Sequence, residues 1–248
     1  MPTLNISHKN ISSLAEYFSA HPEHTNVTVL HCEYNKIPNL VGCPETVRTL
    51  HCSNNYRMTS LVGCPESVKF LYANDCRLES FVGCPESIKK VHVDNNRICS
   101  FTGCPISVRD LSIENNDLTS FIDCPKFVKK LFCSYNRINS FKECPISVEI
   151  LYCVGNDLES FQYCPMNVRE LICGSNKFKT LLGCPHSAIE LSVIGNSIES
   201  LGDYPPNVLL DQISCDMFHF WKTNEMSSLK VYKTYSQMIR TAIQNDQH

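Results

Sequence analysis

Histidines and cysteines are the side chains of this sequence with the most chemistry to offer. His31 and His51 are twenty residues apart, and His21-Pro22-Glu23-His24 brings two imidazoles within one short stretch. A zinc ion needs three or four converging ligands. No carboxylate or exposed thiol is expected close enough to complete either pair, so no metal site and no cofactor are expected. Cys215, Asp216 and His219 form the one local cluster of thiol, acid and imidazole, and four-residue spacing would align Cys215 with His219 on a helix. A nucleophilic thiol requires a lowered pKa in an accessible polar setting. The adjacent Phe218, Phe220 and Trp221 point to burial instead, so the cluster reads as chance and the chain as a non-enzyme. Phosphate-cradling glycine loops, zinc-finger spacings and nucleic-acid motifs do not occur.

The sixteen cysteines are better explained by their phase. Cys43, Cys64, Cys84, Cys104, Cys124, Cys144, Cys164 and Cys184 each precede a proline, the first interval being 21 residues and the other six 20. Cys32, Cys52, Cys133, Cys153 and Cys173 share a second phase, whose slot is filled elsewhere by Val93 or Ile113. A disulfide or metal site cannot exchange a thiol for valine, whereas a core can. These cysteines are therefore expected to be reduced core residues rather than a disulfide framework.

Aligned on them, the chain repeats the unit V-x-x-L-x-C-x-x-N-x-L-x-S-F-x-G-C-P-x-S. One copy runs Val108, Leu111, Ile113, Asn116, Leu118, Phe121, Cys124, Pro125, and the leucine slot continues through Leu131, Leu151, Leu171 and Leu191. A fixed period of this kind marks a solenoid before any element is assigned. Leu131 and Cys133 lie two apart, so on a strand both face the core while Phe132 and Ser134 face away. One short strand per coil follows, and successive strands should pair in parallel about 4.8 Å apart. The asparagine amide can both donate and accept, which suits it to satisfy backbone groups where the chain turns out of the sheet. The return half is too short for a full helix. Its proline fixes φ and disfavours helix in the residue before it, so extended or polyproline arms are expected.

This unit resembles the short bacterial-type leucine-rich repeat, in which L-x-x-L-x-V-x-x-N-x-L is followed by L-P-x-L-P. Phe101, Cys104 and Pro105 match the first leucine, second leucine and last proline of that closing segment, although the chain lacks its first proline and uses cysteine in its second leucine slot. The resemblance covers about residues 27 to 208, and similar repeats occur in secreted bacterial effectors and in predicted giant-virus proteins. It implies an α/β solenoid, mostly β: a curved, right-handed leucine-rich-repeat solenoid with a parallel concave sheet. Bacterial effectors with this repeat can carry a separate ubiquitin-ligase domain with a nucleophilic cysteine, for which the 40 residues after Val208 are too few.

Three regions are expected. Residues 1-26 read as a capping repeat, imperfect at Leu4, Ile6, Lys9, Ile11 and Leu14, with a short helix where Leu14, Tyr17 and Phe18 recur before Pro22. Residues 27-207 read as the solenoid of about nine coils, and 208-248 as a C-terminal cap. There Leu229, Tyr232, Ile239, Ala242 and Ile243 suggest an amphipathic helix over roughly 228 to 244, with Trp221 covering the last coil. The chain is 43% hydrophobic and 19% charged with a formal net charge of −3, which excludes a nucleic-acid surface built on bulk positive charge. No stretch approaches the roughly 18 apolar residues of a membrane helix. MPTLNISHKN has no basic segment followed by an apolar run, so a cytoplasmic monomer is expected, in a host cytoplasm if the source is a pathogen or virus.

In a repeat protein a binding site is a column. The outward slot after the strand leucine reads His31, His51, Tyr72, His92, Ser112, Phe132, Tyr152, Ile172, Ser192. The slot before the leucine includes Thr49, Phe70, Lys90, Asp110, Lys130, Ile150, Glu170 and Glu190, and the slot two beyond includes Asn74, Asp94 and Glu114. Sheet propensity alone can put aromatics on strands, but interface cores also favour them. His31, His51, Phe70, Tyr72, His92, Phe132, Tyr152 and Ile172 are therefore the expected contacts for a protein partner, with neither nucleic acid nor membrane as the target. The alternative is a substrate-recognition adaptor whose C-terminal segment recruits a ubiquitin ligase or other enzyme machinery.

Overall fold

A computed structural model describes residues 2–199 and 205–208. The C-terminal cap expected over 208-248, its helix and the Cys215, Asp216, His219 cluster lie outside these residues, apart from the buried Val208.

Each twenty-residue unit contributes one three-residue strand. In chain order they are β1 (Thr3–Asn5), β2 (Val29–His31), β3 (Thr49–His51), β4 (Phe70–Tyr72), β5 (Lys90–His92), β6 (Asp110–Ser112), β7 (Lys130–Phe132), β8 (Ile150–Tyr152), β9 (Glu170–Ile172) and β10 (Glu190–Ser192). They form one ten-stranded sheet in the order β1 to β10. Every neighbouring pair is parallel and in register with the repeat, so that Leu30, Leu50, Leu71, Val91, Leu111, Leu131, Leu151, Leu171 and Leu191 align. This leucine row, together with Cys52, Cys133, Cys153 and Cys173, is fully buried. The two-residue alternation read from the sequence thus decides which side chains leave water.

The core closes on the return arms. Val47, Val68, Ile88, Val108, Val128, Val148, Val168 and Ala188 are buried from that side, as the opening slot of the unit requires. Inside runs a file of rings: Phe101, Phe121, Phe141 and Phe161 stack with centroids 6.3 to 6.4 Å apart. Next in the file Leu181 occupies the phenylalanine slot, and Phe178 occupies the preceding leucine slot. Phe178 lies 4.2 Å from Phe161, so the large and small residues exchange places and core volume is kept. Burying each of these rings contributes about 1.5–3 kcal/mol.

Each arm is built from two tight turns around the Cys-Pro step rather than from one extended run. The Cys124 amide donates to Phe121 O at 3.0 Å and the Val128 amide to Pro125 O at 3.1 Å, and this pair recurs along the chain. Pro125 begins the second turn as the residue whose carbonyl accepts, a position that needs no N–H donor. The glycine before the cysteine is demanded by space at the first arm. Gly42 has φ +86, and a Cβ there would sit 2.3 Å from Ala15 Cα. Ala15 belongs to α1 (Leu14–Ala20), capped by Ser13, whose hydroxyl accepts the Glu16 amide at 3.2 Å. The short helix expected in this first return arm therefore forms, and it buries Leu14 and Phe18 against the coil beside it.

Two hydrogen-bonded ladders tie coil to coil. Asn136 Nδ2 donates to Ile113 O in the preceding coil at 3.0 Å and to Cys133 O in its own at 3.1 Å, while its Oδ1 accepts the Leu118 amide at 2.9 Å. Asn55, Asn96, Asn156 and Asn196 repeat the pattern, and Asn116 keeps it except that its own-coil acceptor is Glu114 O. The second ladder comes from the closing serine of the unit: Ser147 Oγ donates to Val128 O at 2.6 Å and to Lys126 O at 2.8 Å, and Ser187 does the same toward Val168 and Met166. Buried carbonyls left open by such short turns are satisfied in this way.

Candidate functional site

The outward slot of β2 to β9 is where seven of the eight expected contact residues stand, and the parallel register decides how they meet. His31, His51, Tyr72 and His92 are register partners on successive strands. The His31 and His51 rings stack at 4.3 Å and 9°, and His51 and Tyr72 at 4.5 Å and 3°. His92 meets Tyr72 edge-on at 5.2 Å and 76°. The chain spacing of about 4.8 Å between strands is close to a ring-stacking distance, so identical slots make a ribbon of rings without further design. All four are half-buried against one another.

Ser112 ends this ribbon. It is buried, and its hydroxyl donates to Asp94 Oδ1 at 2.6 Å, so the column is split into two rather than running unbroken. Beyond it Phe132 and Tyr152 pack edge-to-face at 5.0 Å and 72°, and Ile172 follows in register with Tyr152. Phe70, in the slot before the leucine, is 42% exposed and stands between Thr49 and Lys90. The eight expected residues therefore share one face but form two clusters.

The borders are charged and ordered. Lys90 Nζ lies 3.1 Å from Asp110 Oδ2 and 5.9 Å from the Tyr72 ring centroid. His92 Nε2 faces Asp110 Oδ1 at 3.6 Å, longer than a hydrogen bond, and neither atom has another partner. Burial, then the Lys90 charge, lower the His92 pKa against the opposing pull of Asp110 and Asp94. Burial and then the neighbouring His31 lower that of His51. Tyr152 is raised by burial and by the carboxylates of Glu170 and Glu190, so its phenol stays a donor. On the other side Asn74, Asp94 and Glu114 form a polar row: Asn74 Oδ1 accepts the Asp94 amide and Asp94 Oδ1 the Glu114 amide, both at 2.9 Å.

One functional group was not anticipated. Glu33, two residues beyond His31, points to the same side and places Oε1 3.2 Å from His31 Nδ1. Ser7 Oγ donates to the other carboxylate oxygen at 2.7 Å. Burial alone would raise the Glu33 carboxyl, but the hydrogen bonds from Ser7, its own backbone amide and His31, with the His31 charge, together outweigh it and hold it below the usual range. The expectation that no carboxylate would stand near the His31 and His51 pair is thus corrected. Spacing of two on an extended segment was the available signal, the same one that put Asn74, Asp94 and Glu114 in a column. The other histidine pair, His21 and His24, stacks at 5.4 Å beside Tyr17, whose hydroxyl pairs with His24 Nδ1 at 3.0 Å.

Apolar side chains are also exposed elsewhere. On the return arms Ile106, Ile146 and Met166, each just after a proline, and Phe127, one residue further on in its arm, are 51% to 79% exposed. No helix among the described residues is long and apolar enough to cross a membrane.

In-register parallel strands, one for each twenty-residue coil, with an asparagine ladder at their ends, define a leucine-rich-repeat solenoid. No protein-family model and no curated protein sequence matches the chain. Solved structures do match in fold. YopM from Yersinia enterocolitica WA-314 superposes with a TM-score of 0.65 at 21% identity, over 77% of this chain and 46% of that one. YopM of Yersinia pestis, described as a leucine-rich effector protein, gives 0.60 at 18% identity over 85% and 66%. An octameric complex of Latrophilin 3, Unc5D and FLRT2, in which FLRT2 carries the leucine-rich repeats, gives 0.55 at 16% identity over 79% and 76%. The chain spans less than two thirds of the length of either YopM chain, and at such identities the likeness is one of fold.

Proposed function

We propose that the chain is a protein-interaction scaffold, a binding module rather than an enzyme, that takes a protein partner on the outward face of its strands. The observation that carries this reading is the ribbon His31, His51, Tyr72 and His92, continued after Ser112 by Phe132 and Tyr152. Rings held by their neighbours lose little rotamer freedom on binding, and each offers a large apolar face with a polar edge. Charged side chains rim the strip at Lys90, Asp110, Lys130, Glu170 and Glu190, the arrangement of an interface with an apolar centre and a polar rim. Likeness to an FLRT2 repeat solved within a multiprotein complex supports the same reading.

The test is affinity capture from cells of the source organism, with binding of the captured protein then measured on purified components. Replacing Tyr72, Phe132 and Tyr152 together by serine should abolish binding while the circular dichroism spectrum and melting temperature persist. Loss on replacing Ile106, Ile146 and Met166 instead would move the interface to the return arms and overturn the proposal.

A further inference from the structure

Glu33 changes what the first two coils can do. His31 and His51 are register partners at the end of β2 and β3, and Glu33 leaves β2 on their side of the sheet. One ligand atom from each of the three lies within 4.8 Å of the other two, and the three side chains are half-buried. Among the described residues no other three histidine, cysteine, aspartate or glutamate side chains converge in this way.

Two imidazole nitrogens and one carboxylate oxygen are a borderline donor set. It suits zinc and its transition-metal neighbours and is a poor match for magnesium or calcium, which demand oxygen ligands. A tetrahedral ion with bonds of about 2.0–2.2 Å holds its ligand atoms about 3.3–3.6 Å apart. The 3.2 Å between His31 Nδ1 and Glu33 Oε1 is only slightly short of that separation, so a small movement of the two side chains admits the ion. The carboxylate is also aimed: Ser7 Oγ occupies its far oxygen at 2.7 Å, the kind of outer hydrogen bond that orients metal ligands. His51 must still turn. Its ring lies nearly parallel to that of His31, and both lone pairs reach one ion only if the two planes splay about their Cβ–Cγ bonds, at the expense of the stack.

We propose that His31, Glu33 and His51 bind one divalent transition-metal ion of the zinc class, with water completing the coordination and Ser7 orienting the carboxylate. Nothing in this depends on the partner proposed above. The ion would sit at the N-terminal end of the aromatic ribbon with its water facing outward, as an open three-ligand site does.

The experiment is calorimetric titration of the full chain, stripped with chelator, using zinc chloride as the probe. One zinc per chain is expected, with no uptake of magnesium or calcium. Glu33→Gln, which keeps shape and loses charge, and His51→Asn should each weaken zinc binding at least tenfold, and Ser7→Ala by about tenfold. His21→Asn/His24→Asn should bind as the unaltered chain does. Cobalt in place of zinc should give a visible spectrum without a thiolate charge-transfer band, which separates this site from any cysteine. Circular dichroism confirms folding, and should His51→Asn fail to fold, Glu33→Gln decides. Absence of zinc uptake, equal uptake by Glu33→Gln, or a thiolate band would each overturn the proposal.

Discussion

The Leu118 amide donates to Asn136 Oδ1 at 2.9 Å, binding each coil to the next through a buried side chain. The equivalent amide two coils earlier along this ladder is Leu78, which uses Asn96, but the one before it is Met58, and its counterpart across the gap is Cys76. Met58 N turns instead to Asn55 O at 2.8 Å, and Cys76 Sγ makes only long contacts to Cys52 O and Asn74 O, at 3.6 and 3.4 Å.

Restoring the ladder should therefore stabilise the chain. Cys76→Asn offers Met58 N the side-chain acceptor used in the neighbouring coils in exchange for Asn55 O, and replaces a weak thiol donor by an amide facing Cys52 O and Asn74 O, a gain of about 1 kcal/mol. Asn136→Ala does the reverse, stranding Leu118 N and Ile113 O without water, and should cost about 3 kcal/mol. Thermal unfolding reads both: the melting temperature should move by about 2–4 °C per kcal/mol, upward for Cys76→Asn and downward for Asn136→Ala. A drop for Cys76→Asn would mean that the slot is shaped for sulfur.

Binding should follow the two ring clusters unequally. The half-buried ribbon around Tyr72 is braced on both sides, by His51 and His92, whereas among the described residues Phe132 has a ring neighbour only at Tyr152. Tyr72→Ser should accordingly cost the complex at least 2 kcal/mol, the range of an interface anchor, and Phe70→Ser in the flanking slot under 1 kcal/mol. Dissociation constants of the two variants against the captured partner decide this, and equal losses would spread the energy over the whole face.

Much of this was legible in the sequence because each slot of the unit meets one environment. Leu131 and Cys133 face inward because they are two apart on a strand, and Asn136 is legible as a backbone partner because its amide both donates and accepts. The serine ladder was not legible: Ser147 is as conspicuous as Asn136, but a hydroxyl at a turn has many local acceptors, and only the stacking of arms shows that it reaches Val128 O. Glu33 was missed for a related reason. The pattern sorts residues into faces, and its meeting with His31 and Ser7 depends on rotamers. The break at Ser112 was visible as a small residue in an aromatic column, but its bond to Asp94 was not.

Acid should loosen the ring ribbon before it affects the core. His51 and His92 titrate below an unfolded histidine, so between their folded values and about 6.5 the unfolded chain binds more protons than the folded one. Their contribution is complete above about pH 6.5 and is lost as pH falls below it. Urea unfolding at pH 7.5 and 5.5 should show the native chain weaker at the lower pH, and His51→Phe/His92→Phe should flatten that difference. An unchanged pH dependence in the double variant would place the responsible protons elsewhere.

The cysteines should divide sharply by reactivity, because the thiolate is the reacting species and burial disfavours it. Cys99 is exposed, outside both cysteine phases. Burial, with nearby glutamates adding to it, pushes Cys64 up to about 12, and burial alone does the same for Cys184. Cys133 and Cys144 are raised well beyond the ordinary thiol range, first by burial. In a Cys215→Ser background, iodoacetamide at pH 8 followed by peptide mass mapping should label Cys99 in the folded chain and leave Cys133, Cys144 and Cys184 unmodified until urea is added. Early labelling of the Cys-Pro positions would show that the return arms open in the native state, and the dry interior assigned to their thiols would then be wrong.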